Sequence, residues 1–346
     1  MGGLTALPAK CPAAIPGWPA LTQGAFAASI AAMDCNDQGS ADSAWQGGGS
    51  IPGMPGQPAF AQRRCTPEPL PILIAVPHAG RHYPAELTGQ MRDPKQSTLR
   101  LEDRLVDLLA LAVARETGAG LIVAHAPRAM IDLNRASDDV DWDMIAGGAP
   151  AGMLRHAAGR RSRSGLGLVP RRLAGVGELW RRQLRPGELT ERIDEVHRPY
   201  HQAIGQALQH LRDRWGRALL LDLHSMPPLV ATTASEPAAI FVVGDRFGAA
   251  CEAWLAHAAL DHFDGLGERV AHNRPYAGGF VLDHHGAPVR GINAMQLEIC
   301  RSAYLDASLT DPGPGFAHVV GLLTGLVRRL AADLASGFGG LTQAAE

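Results

Sequence analysis

The chain alternates short, almost continuously apolar runs with longer segments whose apolar residues recur every three or four positions. Such runs are typical of strands in parallel sheets, which helices cover on both faces. The predicted strands lie at 71–77, 120–127, 218–228 and 238–248, with a further strand and turn at 293–304. The alternation predicts an α/β fold with three layers (αβα), in which a mixed, mostly parallel sheet lies between helices.

Four segments have the periodicity of amphipathic helices. Residues 98–118 form one predicted helix that ends at a glycine. Residues 188–216 form a second helix, with an expected kink or interruption near Pro199, because proline lacks the N–H that a helix interior uses. Further helices are predicted at 249–258 and 315–337.

The first 65 residues differ in composition from the rest of the chain. They are rich in proline, glycine and alanine and nearly free of charge. Such a segment buries too little apolar surface to offset the entropy lost on ordering. We therefore expect residues 1–65 to be a disordered extension and residues 66–340 to form a single catalytic domain.

Composition excludes several functional classes. Of the 346 residues, 46% are hydrophobic and 19% are charged, as in soluble globular proteins. The formal charge of −2 gives no long-range attraction to nucleic acid or to an anionic membrane. The five cysteines are scattered without CxxC spacing, which argues against a disulfide framework and against a cysteine-based zinc site. We expect a cytoplasmic protein that has neither nucleic acid nor a membrane as its partner.

Two apolar runs in predicted strands lead directly into a histidine. His78 follows the run 71–77, and His224 follows the run 218–223 within the predicted strand 218–228. Ligands of α/β sheets gather outside the carboxyl ends of the strands, so a pair of such histidines favours metal ligation over two unrelated loop residues. Asp222 precedes His224 by two positions and shares its side of the strand. Its carboxylate either orients that imidazole or bonds backbone at the strand end.

A third metal ligand is expected near His78. A catalytic zinc commonly takes two histidines and one carboxylate and leaves one position for water. The segment "LEDRLVD" offers Glu102 and Asp103 in the predicted helix 98–118. Their spacing does not choose between them, and either is also typical of a solvated helix charge.

The segment "AMIDLNRASDDVDWD" offers groups that suit a substrate carboxylate. Arg135 and Asn134 follow a short apolar run, and Arg128 stands seven residues before Arg135. The planar guanidinium bonds both oxygens of a carboxylate. The alternative is an arginine paired with Asp132 or Asp138 in a surface network.

Glu298 lies inside the apolar run "MQLEIC", where an unpaired carboxylate would be costly to bury. A buried acid beside a metal is what hydrolysis requires of a general base. The alternative is a structural salt bridge to Arg301 or Arg274.

The segments "VPHAGRHYP", "IDLNR", "DLHSMP", "HNRPYAGGF" and "MQLEICRSAYLD" together resemble the N-formylglutamate amidohydrolase family over residues 70–310. The resemblance implies a fold like that of the zinc carboxypeptidases. It also implies zinc-dependent cleavage of N-formyl-L-glutamate to formate and L-glutamate, a reaction of histidine degradation.

The resemblance also implies residue roles. His78 and His224 would bind Zn²⁺ together with Asp103, and Glu102 remains the alternative because Arg104 and Leu105 depart from the family's aromatic and histidine there. Glu298 would be the general base. Asn134 and Arg135 would hold the substrate's carboxylate, and Tyr276 would close over the substrate. In the hydrolysis that follows from these roles, Arg128 would stabilise the oxyanion together with the metal.

Two other functions stay open at this point. The chain could be a zinc amidase acting on another N-acyl amino acid or a peptide-like amide, because the motifs constrain the metal and the base more than the acyl group. It could also be a catalytically silent, ligand-binding member of the fold, although the retention of Glu298 argues against this.

Overall fold

One sheet dominates the computed structural model, which describes residues 43–65, 68–150, 164–231 and 237–336. The described strands are β1 (Ser43–Gly48), β2 (Phe60–Cys65), β3 (Ile72–Val76), β4 (Gly120–Ala124), β5 (Arg172–Leu173), β6 (Gly177–Glu178), β7 (Ala218–Met226), β8 (Phe241–Gly244), β9 (Val270–His272) and β10 (Ile292–Cys300). Eight of them form a sheet in the order β1-β2-β4-β3-β7-β10-β8-β9, while β5 and β6 pair as a small hairpin.

The described α-helices are α1 (Ala85–Gln90), α2 (Pro94–Leu101), α3 (Val106–Thr117), α4 (Pro186–Arg192), α5 (Arg198–Trp215), α6 (Ala253–Gly265), α7 (Phe280–His285) and α8 (Phe316–Ala335). In the described residues, no helix combines the length and apolar character needed to cross a membrane.

The centre of the sheet is parallel and its flanks are partly antiparallel. β4, β3, β7 and β10 run parallel in that spatial order. β8 is antiparallel to β10 and parallel to β9, whereas β2 is antiparallel to β4. The sheet is therefore mixed and mostly parallel, which confirms the predicted α/β class.

Helices cover both faces of the sheet. Side chains of β7 are buried along its whole length, and successive residues point to opposite faces. Leu220 packs in one core with Ile204 and Leu208 of α5. Helix α8 contacts α3 and α6, which form the other layer. Because helices cover both faces of the sheet, the side chains on both sides of these strands are buried. The strands therefore appear in the sequence as continuous apolar runs.

The prediction of disorder over residues 1–65 is wrong for 43–65, and residues 1–42 lie outside the described part of the chain. β1 and β2 extend the sheet beyond β4. Phe60 is buried, with its ring edge-to-face against Tyr200 at a centroid distance of 5.6 Å. A Cβ on Gly48 would collide with the Phe60 ring, so the glycine permits this packing. Composition alone cannot predict that this segment is ordered, because its order depends on pairing with the edge of a sheet that other segments form.

The long helix predicted at 188–216 is interrupted, as expected near Pro199. Between α4 and α5 the residues Ile193–His197 form a π-helical segment. Pro199 has no N–H to donate to Glu195 O, four residues earlier. That carbonyl instead accepts a hydrogen bond from Ser50 N at 3.0 Å. The carbonyl that receives no hydrogen bond from Pro199 thus binds the loop that follows β1.

The helix predicted at 98–118 is two helices, α2 and α3. They are separated at residues 102–105, where Leu105 adopts the left-handed conformation with φ of 59°. A non-glycine residue seldom adopts this conformation, which costs about 1–3 kcal/mol. Periodicity cannot reveal the break, because both halves keep apolar residues on the buried side. The break directs Asp103 toward the sheet.

Candidate metal centre and substrate cavity

Strands β7 and β10 bring four polar side chains to one face of the sheet. In their parallel register, His224 lies beside Glu298 and Asp222 lies beside Gln296. All four side chains are buried. Because residues two apart share a face, these groups form a polar patch at the carboxyl ends of two central strands.

His78 lies just beyond β3, two residues after Val76. Its carbonyl oxygen accepts a hydrogen bond from Asp103 N at 2.9 Å, which ties the α2–α3 break to the end of the strand. A Cβ on Gly80 would collide with the carbonyl of Ala126. The glycine after the histidine therefore allows the chain to turn closely past the loop that follows β4.

His78, Asp103 and His224 form a buried cluster in which one ligand atom from each lies within 4.8 Å of the others. His224 Nδ1 lies 2.9 Å, and His78 Nδ1 3.5 Å, from Oδ2 of Asp103. His78 Nδ1 is buried without a hydrogen-bond partner among the described residues. The unpaired Nδ1 of His78, together with a ligand atom from Asp103 and one from His224, fits a divalent metal. Two histidines and a carboxylate are a common ligand set of catalytic zinc.

A second carboxylate lies behind each imidazole. His78 Nε2 is 2.7 Å from Asp132 Oδ1, and His224 Nε2 is 2.9 Å from Asp222 Oδ2. Hydrogen bonds from Nε2–H to these acids leave both Nδ1 lone pairs for a metal, as in carboxylate–histidine–metal triads. Asp222 thus bonds the imidazole. The equivalent role of Asp132 was missed, because sequence reasoning considered it only as a partner for arginine.

The structure separates the two candidate acidic ligands. Glu102 pairs with Arg104, with its Oε2 at 3.0 Å from Nη1, while Asp103 faces the histidines. Arg301 braces this segment by donating to the carbonyls of Leu99 and Glu102. Its Nη2 also lies 3.6 Å from Asp103 Oδ1. Asp103, and not Glu102, therefore completes the cluster.

The cluster is strongly charged. Burial alone would raise the pKa of Asp103, but the imidazoles of His224 and His78 beside it outweigh that effect and hold the pKa well below the usual range. For Asp132 burial likewise opposes ionisation, and the charges of Arg128 and His78 hold its pKa well below the usual range. Both acids are therefore carboxylates, the form in which they bind a cation or accept an imidazole N–H.

Glu298 is 7% exposed and lies beside the cluster. Its Oε1 accepts a hydrogen bond from Gln296 Nε2 at 2.9 Å. Burial, opposed by His224 and assisted by the nearby Asp103, raises its pKa to about 7. Within the described residues Glu298 makes no ion pair, and Arg301 is engaged elsewhere. The expected alternative of a structural salt bridge is therefore not what the structure has.

The three residues predicted to meet a substrate carboxylate or oxyanion lie together. Arg128 pairs with Asp132 at 2.9 Å, and Arg135 Nε lies 3.8 Å from the same carboxylate. Asn134 Oδ1 accepts from Val281 N at 3.0 Å, and its Nδ2 lies 3.4 Å from Gln296 Oε1. Both arginines thus contact Asp132, as the alternative interpretation predicted, but Asp132 is buried and does not belong to a surface network. Both arginines also line the same cavity as Asn134.

A cavity of about 150 Å³ opens over the cluster. It is lined by His78, Arg100, Asp103, Arg128, Asn134, Arg135, His224, Ser225, Pro227, Tyr276, Gly278, Gln296, Glu298 and Arg301. Every predicted site residue except Glu102 is in this set. Sequence reasoning missed Arg100, Ser225 and Gln296; only Gln296 carried a signal, since it lies two residues before Glu298 and shares its face.

Comparison with known proteins gives a consistent result. The family model for N-formylglutamate amidohydrolase matches residues 70–305. The N-formylglutamate deformylase of Pseudomonas aeruginosa is 31% identical over 244 residues, which are 68% of this chain and 83% of that protein. The corresponding enzyme of Pseudomonas putida is 29% identical over 246 residues, or 70% of this chain and 84% of that protein.

A solved structure agrees with this result. The crystal structure of the N-formylglutamate amidohydrolase from Ralstonia eutropha JMP134 has a TM-score of 0.72 and 32% identity, and the match covers 81% of this chain and 99% of that chain. The matched sequence includes the buried His78, Asp103 and His224 cluster and the acid beside it. The chain belongs to the N-formylglutamate amidohydrolase family and is an amidohydrolase of that family.

Proposed function

We propose that this chain is a zinc-dependent N-formylglutamate deformylase. It would hydrolyse N-formyl-L-glutamate to formate and L-glutamate, the reaction expected in histidine degradation. The observation that supports this most is the placement of Glu298 beside the His78, Asp103 and His224 cluster, inside a cavity of about 150 Å³. Family membership supports the substrate, because the named relatives are N-formylglutamate deformylases.

The proposed metal ligands are His78, Asp103 and His224, with Asp132 and Asp222 fixing the two imidazoles. When bound there, a zinc ion supplies Lewis acidity, which polarises a carbonyl oxygen and lowers the pKa of water. The donor set suits zinc, since imidazole nitrogen and carboxylate oxygen are both ordinary zinc ligands and leave a position for water.

Glu298 is the proposed general base. Its carboxylate would take a proton from the attacking water and then deliver it to the nitrogen of the leaving glutamate. A pKa raised to about 7 suits both steps, because proton transfer in each direction is efficient when the pKa is near the working pH. Gln296 holds one carboxylate oxygen and so fixes the orientation of the other.

The substrate would be held by the remaining cavity residues. Arg135 and Asn134 would bind a substrate carboxylate, and Arg128 would stabilise the negative charge that develops on the formyl oxygen. Tyr276, on the loop before α7, would close over the bound amino acid. Binding of the substrate carboxylate would set the distance between the formyl carbon and Glu298. The free energy of binding would thus be used to orient the reacting groups.

The test is formate release from N-formyl-L-glutamate by the purified chain, before and after removal of metal with a chelator. We expect activity that is lost with the chelator and restored by Zn²⁺. In the E298Q variant, zinc content should be unchanged while kcat falls by about 10²–10⁴-fold, the usual contribution of a positioned general base. Undiminished turnover by E298Q would remove Glu298 from the mechanism. Hydrolysis of N-acetyl amino acids without formate release would instead support a different N-acyl specificity.

A further inference from the structure

The cavity contains four arginines, and three of them are already engaged by the protein. Arg128 and Arg135 lie at 2.9 and 3.8 Å from the carboxylate of Asp132. Arg301 donates to Ser225 Oγ at 3.1 Å and to two backbone carbonyls. A substrate must share these guanidinium groups with the protein's own acceptors.

Arg100 differs from these three residues. It lies in the last turn of α2 and is exposed. Within the described parts of the chain, it forms neither a hydrogen bond nor an ion pair. Its Nη1 approaches the β5–β6 hairpin, where a Cβ on Gly175 would lie 3.8 Å away. Arg100 therefore presents a fully available guanidinium at the rim of the cavity.

The position of Arg100 is fixed relative to the candidate metal centre. It precedes Asp103 by three residues, in a segment that Arg301 braces through the carbonyls of Leu99 and Glu102. Asp103 N in turn bonds the carbonyl of His78. The backbone that carries the guanidinium is thus tied to two of the three proposed metal ligands. A cation on a backbone segment that is tied to the candidate metal centre can select a substrate by the position of the substrate's own charge.

We infer that Arg100 binds the second carboxylate of a dianionic N-acyl amino acid and so makes the site selective for acidic side chains. This inference rests on the proposed function, in which Arg135 and Asn134 bind one carboxylate. N-formylglutamate has two carboxylates, and the second needs a cation that the protein has not neutralised. The planar guanidinium suits that role because it bonds both oxygens of a carboxylate.

The experiment compares two substrates that differ only in the charge of the side chain, N-formyl-L-glutamate and N-formyl-L-glutamine. Both are assayed by formate release with the zinc-loaded wild-type chain and with the variants R100Q, R100K and R290Q. Arg290 is a matched control because it is exposed and does not line the cavity. The thermal unfolding midpoint of each variant is measured alongside. R100K keeps the positive charge but replaces the planar guanidinium by an ammonium group, which fits the two oxygens of a carboxylate less well.

We expect R100Q to lower kcat/KM for N-formyl-L-glutamate by about 10- to 100-fold, the value of a charge-assisted hydrogen-bond pair, chiefly through a higher KM. The kcat/KM for N-formyl-L-glutamine should change by less than about threefold. R100K should recover part of the preference for the acidic substrate, and R290Q should behave as the wild type.

The inference is overturned if R100Q lowers kcat/KM equally for both substrates, or leaves both unchanged, while the wild type hydrolyses N-formyl-L-glutamate. The proposed function would survive that result. A wild-type chain that hydrolyses neither substrate would instead refute the proposed function, and the role of Arg100 would be refuted with it.

Discussion

Glu298 of β10 and His224 of β7 are directly paired in the parallel register of the two strands. The acid next to the candidate metal centre therefore lies beside one of the two histidines of that centre. Hydrogen bonds between the strands fix their separation. Neighbouring strands of a sheet lie about 5 Å apart. The sheet therefore places a buried acid beside a candidate metal ligand without any contribution from a flexible loop.

The Asp222–His224 hydrogen bond should tune metal affinity. In D222N the imidazole loses a charged partner, so we expect Zn²⁺ to bind about 10- to 100-fold more weakly. Competition titration of the apoprotein with a chromophoric chelator measures this affinity. D213N is the control, because Asp213 is exposed at the end of α5. Equal zinc affinities of D222N and the wild type would show that Asp222 does not support the site.

Replacement of Arg135 should act mainly on substrate binding. We expect R135A to raise the KM for N-formyl-L-glutamate by about 10- to 100-fold, because a charge-assisted hydrogen bond to the carboxylate is lost. Steady-state kinetics measure the effect, and zinc content shows whether Asp132 still supports His78. R198A removes an exposed arginine paired with Asp194 and should leave KM unchanged. An unaltered KM in R135A would place the carboxylate elsewhere.

The order of residues 43–65 can be tested through stability. Phe60 is 4% exposed and packs against Tyr200, so F60A should lower the free energy of unfolding by about 3–5 kcal/mol. Urea denaturation of the full chain measures this change. W45A, at a residue that is 39% exposed in the adjacent strand, should cost far less. An F60A chain as stable as the wild type would restore the expectation of disorder for this segment.

Glu188 should make stability depend on pH. Hydrogen bonds from Arg182 and from the backbone N–H of Arg185, against a smaller burial effect, lower the pKa of Glu188 from 4.5 to about 2. A carboxylate with a lowered folded pKa stabilises the fold above its unfolded pKa and loses that contribution as pH falls toward the folded value.

E188Q removes this contribution at every pH. Compared with the wild type, it should be less stable by about 1 kcal/mol near neutral pH. The difference should shrink as pH falls below about 4.5 and vanish near 2. Urea denaturation of both chains at a series of pH values measures it. A difference that is constant with pH would mean that Glu188 acts by packing and not by charge.

Local pattern was sufficient to identify the central strands and most residues of the candidate site. Continuous apolar runs specified β3, β4 and β7, because strands covered on both faces need apolar side chains at every position. His78 and His224 were identified because each interrupts such a run at its end. Glu298 was identified because an acid inside an apolar strand is costly without a function.

Tertiary structure decided what depends on contacts between distant segments. The choice of Asp103 over Glu102 follows from the break at Leu105 and from the bracing by Arg301, which lies 199 residues from Glu102. The contact of Asp132 with His78 and the place of Arg100 at the cavity rim likewise depend on packing. Residues 43–65 are ordered because β2 pairs with β4, β1 pairs with β2, and Ser50 N donates to Glu195 O. The residues next to a position in the sequence determine its local conformational preference. These features depend instead on which distant backbone group or charged side chain comes into contact with the position, and only the folded sheet determines that contact.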